Sequence, residues 1–159
     1  MIKVFLFLSI VAFSGTVLAQ NLLNTRMWKL SPRKKSLYVD SGVFSHSGAS
    51  RKTTLNAIRH AYNKSLGYER IVFDFNSDNV PNIYGMISKQ NNKLYLDLKN
   101  TAIHSNIDSF GNSRFVSKID FFPITPDVLP VELKLKNSSS YDVFYLKNPG
   151  RLVIDIKNL

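Results

Sequence analysis

The chain contains no cysteine. That excludes disulfides, thiol nucleophiles, cysteine-based zinc sites and the acylated cysteine of a lipoprotein in one step. Histidine is nearly as scarce, and His46, His60 and His104 stand singly, without the close spacing of a metal-binding pair. No glycine-rich phosphate loop and no Gly-X-Ser-X-Gly nucleophile elbow occurs. A hydrolase needs a nucleophile with its base, a pair of carboxylates or a metal. The residues therefore read as a non-catalytic chain, with no metal and no cofactor expected. Asp74, Asp97 and Asp155 recur on strand-like stretches beside Arg or Lys, which favours charge ladders across neighbouring strands over a carboxylate site. His60 is expected near Glu69 across a hairpin, as a surface pair rather than a catalytic base.

Acidic residues are also few, and where they are missing matters more than their number. Between Gln20 and Gly67 nine basic residues face one acid, Asp40; from Tyr68 to Leu159 eleven basic residues face ten acids. The basic character thus belongs to the N-terminal approach. Such a segment attracts polyanions, among them lipid head groups, wall polymers and nucleic acid. For an exported chain nucleic acid is the least suited of these, and a solvated linker is the alternative.

Export is expected from the start of the sequence. Met1-Ile2-Lys3 is a short positive head, Val4 to Val17 is almost wholly apolar, and Val17-Leu18-Ala19 precedes Gln20 in the small-residue style of a cleavage site. Residues 1–19 therefore read as a signal peptide cut between Ala19 and Gln20, too short in its apolar run to span a membrane comfortably. The expected location is periplasmic or secreted, with no stable membrane span after cleavage. Residues 20–52 read as a basic, poorly ordered linker, in which Leu37-Tyr38-Val39 with Val43-Phe44 is a candidate extended piece that docks on the domain.

What is present in abundance is alternation. Leu94-Tyr95-Leu96-Asp97-Leu98-Lys99-Asn100 is echoed by Leu152-Val153-Ile154-Asp155-Ile156-Lys157-Asn158 at the end of the chain. Successive side chains on a strand point to opposite faces, so each copy buries its aliphatic residues and shows its charged ones. Ile71 to Phe75 likewise matches Val131 to Leu135, and Ala57-Ile58-Arg59 matches Lys118-Ile119-Asp120, each offset by about 60 residues. Thr53 to Tyr62 also fits a helix, through Leu55, Ile58 and Tyr62, but its β-branched counterpart Val116 to Phe122 favours strand. About four strands per half follow, and each half alone would expose an apolar face. The expected fold is all-β: a β-sandwich of two pseudo-repeated sheets of about four strands each, over residues 53–159.

The outer sheet face is the remaining place for function. It is expected to carry Arg70, Asp74, Lys93, Tyr95, Asp97, Arg151 and Asp155, planar guanidinium and carboxylate groups with an aromatic beside them. Such a set suits glycans or peptide stems, rich in hydroxyls and amides.

Gly67-Tyr68-Glu69-Arg70-Ile71-Val72-Phe73-Asp74-Phe75, with Leu55 to Arg59 before it and the Lys93 to Asn100 and Arg151 to Asn158 strands after it, resembles the AMIN domain and its AMIN-like relatives. These are exported bacterial modules found beside N-acetylmuramoyl-L-alanine amidases and in type IV pilus secretins. The likeness covers residues 53–159. It implies a sandwich of two related sheets that binds peptidoglycan and localises attached machinery in the cell envelope, with Arg59, Arg70, Asp74, Asp97, Arg151 and Asp155 as the matching strand positions. Neither an amidase nor a secretin domain accompanies the module in this sequence. The partners implied are peptidoglycan or another wall polymer, and, as the alternative, a secretion, pilus or amidase component on which the chain docks as an adaptor.

Overall fold

A computed structural model describes residues 36–39, 41–107 and 111–159. The expected signal peptide, the Ala19-Gln20 cleavage pair and the basic stretch up to Lys35 lie outside the described residues. The described residues form strands, turns and loops without a helix, and two sheets pack into a sandwich.

Strict alternation makes the core. In β4 (Tyr68–Phe75), Glu69, Ile71, Phe73 and Phe75 are buried and the residues between them are not. The same beat runs through β5 (Ile83–Ser88), β6 (Lys93–Lys99) and β9 (Val128–Leu135). Fully buried Ile71, Phe73, Leu94, Leu96, Leu133, Leu152 and Ile154 come from both sheets and belong to one hydrophobic cluster. Each such side chain contributes roughly 1.5–3 kcal/mol of burial free energy. β3 (Thr53–Asn63) is a strand over its whole length, which resolves the helix alternative, with a bulge between Leu55 and Ala57.

The remaining strands are β1 (Ser36–Val39), β2 (Gly42–His46), β7 (Thr101–Ile103), β8 (Val116–Phe121), β10 (Ser139–Leu146) and β11 (Arg151–Asn158). One sheet has six strands in the order β1-β10-β11-β4-β3-β7, the other five in the order β2-β5-β6-β9-β8. Three strands therefore add to the expected eight. β1 pairs with β10 and β2 with β5, so the fold begins ahead of Thr53, and the poorly ordered linker expected over 20–52 is corrected for residues 36–46. The reason is packing: Phe44 is buried, and its ring lies against Gly85, where an added Cβ would collide with it. β7 is short and runs parallel to β3.

The internal repeat is real in register but does not correspond to one sheet per half. β3 and β4 lie in the six-stranded sheet, whereas their counterparts β8 and β9 lie in the five-stranded one; β5 and β6 exchange with β10 and β11 in the opposite sense. Leu152 stands opposite Phe73 just as Leu94 stands opposite Leu133, and Ile154 opposite Ile71 as Leu96 opposite Val131. Each half thus gives one hairpin to each sheet, and the central pairs β4–β11 and β6–β9 both join the two halves. A half-chain hairpin cannot cover its own apolar face, so it crosses to the other layer and completes its sheet with the other half's strands.

Candidate functional site

Site residues expected on a single face are divided by the fold. Arg59, Arg70, Asp74, Arg151 and Asp155 share the outer face of the six-stranded sheet, carried by β3, β4 and β11. Tyr95 and Asp97 are on β6 and face outward from the five-stranded sheet, on the opposite side of the sandwich. The single-face expectation is corrected because β6, the sequence echo of β11, takes its place in the other layer.

The outer face of the six-stranded sheet is built in rows across the strands. Asp74 is the register partner of Arg151, Val72 of Val153, and Arg70 of Asp155. Arg59, opposite Val72, reaches diagonally to Asp74 and donates from Nε to Oδ2 at 2.6 Å and from Nη2 to Oδ1 at 2.8 Å. Arg70 grips Asp155 in the same two-pronged way, Nε to Oδ1 at 2.7 Å and Nη2 to Oδ2 at 2.8 Å. Its guanidinium also lies 5.3 Å from the Phe144 ring centre and 5.4 Å from that of Tyr68. The hydrogen bonds to Asp74 and Asp155 raise the pKa values of Arg59 and Arg70 further above their ordinary range. Between the two ion pairs lies an apolar row of Val72, Val153 and Phe144, of which Val153 and Phe144 are buried although they face outward.

The two arginine pairs differ in exposure, and the difference assigns their roles. Arg59 is 61% exposed, so its pair is worth little to stability. Asp155 is almost covered, so Arg70 holds a nearly buried carboxylate between the two halves of the chain. Arg151 forms no ion pair among the described residues, and its Nε is buried without a hydrogen-bond partner.

On the other sheet, Lys93 bonds Glu132 at 2.7 Å and its ammonium sits 5.9 Å from the Tyr95 ring centre. Asp97 stands between Tyr84 and Pro130. Exposed Val43, Tyr84 and Met86 make an apolar patch on β2 and β5 of this face, and Phe122, beside Pro130, lies on the far side of Asp97 from it. Sequence reasoning named Tyr95 and Asp97 but not this patch, whose members lie on two strands some forty residues apart. Only the register of β2 on β5 brings Val43 beside Met86.

The His60–Glu69 pair forms, with Nδ1 and Oε1 3.0 Å apart, but it is no surface pair. Glu69 is 1% exposed and points into the sandwich at the position where the repeat has Leu129. Burial works to raise its pKa; the Phe115 amide, the Ser113 hydroxyl, the Arg114 amide and His60 outweigh burial and hold the carboxyl below its usual range. Those donors stand at 2.7, 2.8, 3.1 and 3.0 Å. A carboxylate saturated in this way has no lone pair left for a substrate proton; it fastens the segment entering β8 to β4.

A small depression at one end of the sandwich, lined by Arg51, Thr53, Ser77, Asp78 and Asn79, encloses about 110 Å³. That is below the roughly 300–1,000 Å³ of ordinary small-molecule sites. Among the described residues no three His, Asp or Glu side chains are grouped to hold a metal.

No family model matches this chain. No curated protein matches it in sequence either.

Proposed function

We propose that the chain is an exported, non-catalytic module that binds peptidoglycan through the outer face of its six-stranded sheet and thereby localises to the bacterial wall. The observation that carries this reading is the arrangement on β3, β4 and β11: two guanidinium–carboxylate pairs, Arg59–Asp74 and Arg70–Asp155, with a third arginine, Arg151, that forms no ion pair among the described residues. Guanidinium groups fixed by carboxylates on a sheet face suit an extended polymer bearing amides, hydroxyls and carboxylates. The apolar N-terminal stretch and the likeness to AMIN-type modules support an envelope location.

The test is co-sedimentation of the full chain with purified sacculi at low and physiological salt. Generic attraction of the basic arm is screened over about 8 Å at physiological ionic strength. Retention that persists there, and falls in the double variant Arg59→Ala/Arg151→Ala, supports recognition by the sheet face. Retention that disappears with salt alone would sink it.

A second reading is an adaptor that docks on an envelope protein, such as a secretion, pilus or amidase component. The exposed apolar patch of Val43, Tyr84 and Met86 on the five-stranded sheet favours it. It expects a protein partner that stays bound after the wall is digested and is lost in Tyr84→Ser/Met86→Ser.

A further inference from the structure

Asp74 has two arginines within reach and serves only one. Each of its oxygens accepts one hydrogen bond from Arg59, Oδ2 from Nε and Oδ1 from Nη2. Arg151 stands directly opposite Asp74 in the β4–β11 register, where opposite charges normally pair, yet it forms no ion pair among the described residues. Its Nε is buried and has no acceptor. Buried donors are nearly always satisfied, and an unsatisfied one among the described residues calls for an explanation, of which a bound ion is one. Arg59 and Arg151 with Asp74 leave one positive charge at this corner of the sheet.

We propose that Arg151, together with the exposed edge of Arg59, receives a singly charged oxyanion of the ligand. A carboxylate or a phosphodiester neutralises the local charge, and either can accept two parallel hydrogen bonds from a guanidinium fork. A phosphomonoester, carrying about −1.5 to −2 at neutral pH, would overshoot it and meet the Asp74 carboxylate. Asp74 acts as a positioning residue: its carboxylate is engaged by Arg59 on β3, while Arg151 on β11 forms no ion pair among the described residues. The source of the anion rests on the wall-binding reading, since peptide stems carry carboxylates and accessory wall polymers carry phosphodiesters; its chemistry does not.

Two arms test this. In the first, the arginine Nε–H signals of the full chain are followed by NMR during titration with acetate and with dimethyl phosphate, against chloride at matched ionic strength. A saturable shift of the Arg151 signal with either oxyanion and not with chloride supports the site. Equal shifts in chloride, or none, overturn it. Loss of the response at Arg59 in Arg151→Lys, with the fold intact by circular dichroism, assigns the fork and not charge alone; an Arg59 response that persists in that variant overturns the assignment to Arg151. In the second, binding is measured to sacculi whose carboxyls have been amidated and to sacculi stripped of phosphodiester polymers. Loss of about tenfold on amidation alone assigns the carboxylate, and loss on stripping alone the phosphodiester. Unchanged binding to both modified walls overturns the proposal. If untreated sacculi fail to bind while acetate still shifts Arg151, the wall-binding function fails and the oxyanion site stands.

Discussion

Arg70 and Asp155 are 85 residues apart in the chain and directly opposite each other where β4 meets β11, joined by two parallel hydrogen bonds of 2.7 and 2.8 Å. They tie the first half of the chain to the second at the centre of the six-stranded sheet. Asp155 is nearly buried, so removing it and removing Arg70 are unequal acts. Asp155→Ala takes away both acceptors and should cost about 2 kcal/mol, a fall of roughly 5–10 °C in Tm for a domain of this size. Asp155→Asn keeps the shape, loses the charge, and should fall between. Thermal denaturation of the three proteins checks the order, and a wild-type Tm in Asp155→Ala would mean the pair contributes nothing.

Glu69 makes the second prediction, in two parts. Glu69→Gln presents an NH2 group to one of the donors that now point at the carboxylate, and should cost about 3 kcal/mol. The loss should be visible first as faster hydrogen exchange at the Arg114 and Phe115 amides. Because its folded pKa lies below the ordinary 4.5, Glu69 contributes stability that is fully present above that value and is lost as pH falls through the lower folded one. Denaturation midpoints of the wild type should therefore decline below about pH 4.5, and the decline should be shallower in Glu69→Gln. Parallel curves would assign the acid limb to other groups.

The alkaline limb has a different origin. Burial pushes Tyr141 and Tyr145 up to about 12 from the usual 10.0. In the unfolded chain both ionise near 10, so the folded state loses ground progressively as pH rises from about 10 to about 12. Spectrophotometric titration of tyrosinate should show two groups ionising late, together with unfolding. A single transition of all tyrosines near pH 10 in folded protein would contradict this.

Phe44 and Gly85 offer a coupled test of the early fold boundary. The Phe44 ring occupies the space where a Cβ on residue 85 would stand. Phe44→Ala should cost about 3–5 kcal/mol. Gly85→Ala should be strongly destabilising alone and much milder in the Phe44→Ala background, since the collision is then gone. Additive costs in a double-mutant cycle would show that β2 does not pack on β5 in solution.

The core was legible because period-two alternation leaves little freedom. Once Ile71, Phe73 and Phe75 face one way, β4 is placed, and a one-residue slip would expose them all. The repeat was legible as well, since matched strands must bury matched faces. β1 and β2 were less so: Ser and Gly dilute their pattern, and short edge strands are held by their neighbours rather than by their own propensity. Glu69 was hidden for another reason. A charged residue at an inward position of a strand reads as an exception to the pattern, and the donors that make it tolerable arrive from Ser113, Arg114 and Phe115, more than forty residues away.

The sequence by itself determined which faces of the strands are apolar, that two similar units are present, and that arginines and aspartates ride on the opposite faces. Tertiary structure alone decided which sheet each strand joins, and with it which charges meet. β6 and β11 have nearly the same residues, yet β11 lies beside β4 and β6 beside β9. Asp155 therefore meets Arg70, while Asp97 faces Pro130 across the same kind of junction. Side-chain alternation is a local property, set by backbone geometry within a strand. Strand partnership depends on how each half buries the other, which no window of sequence contains.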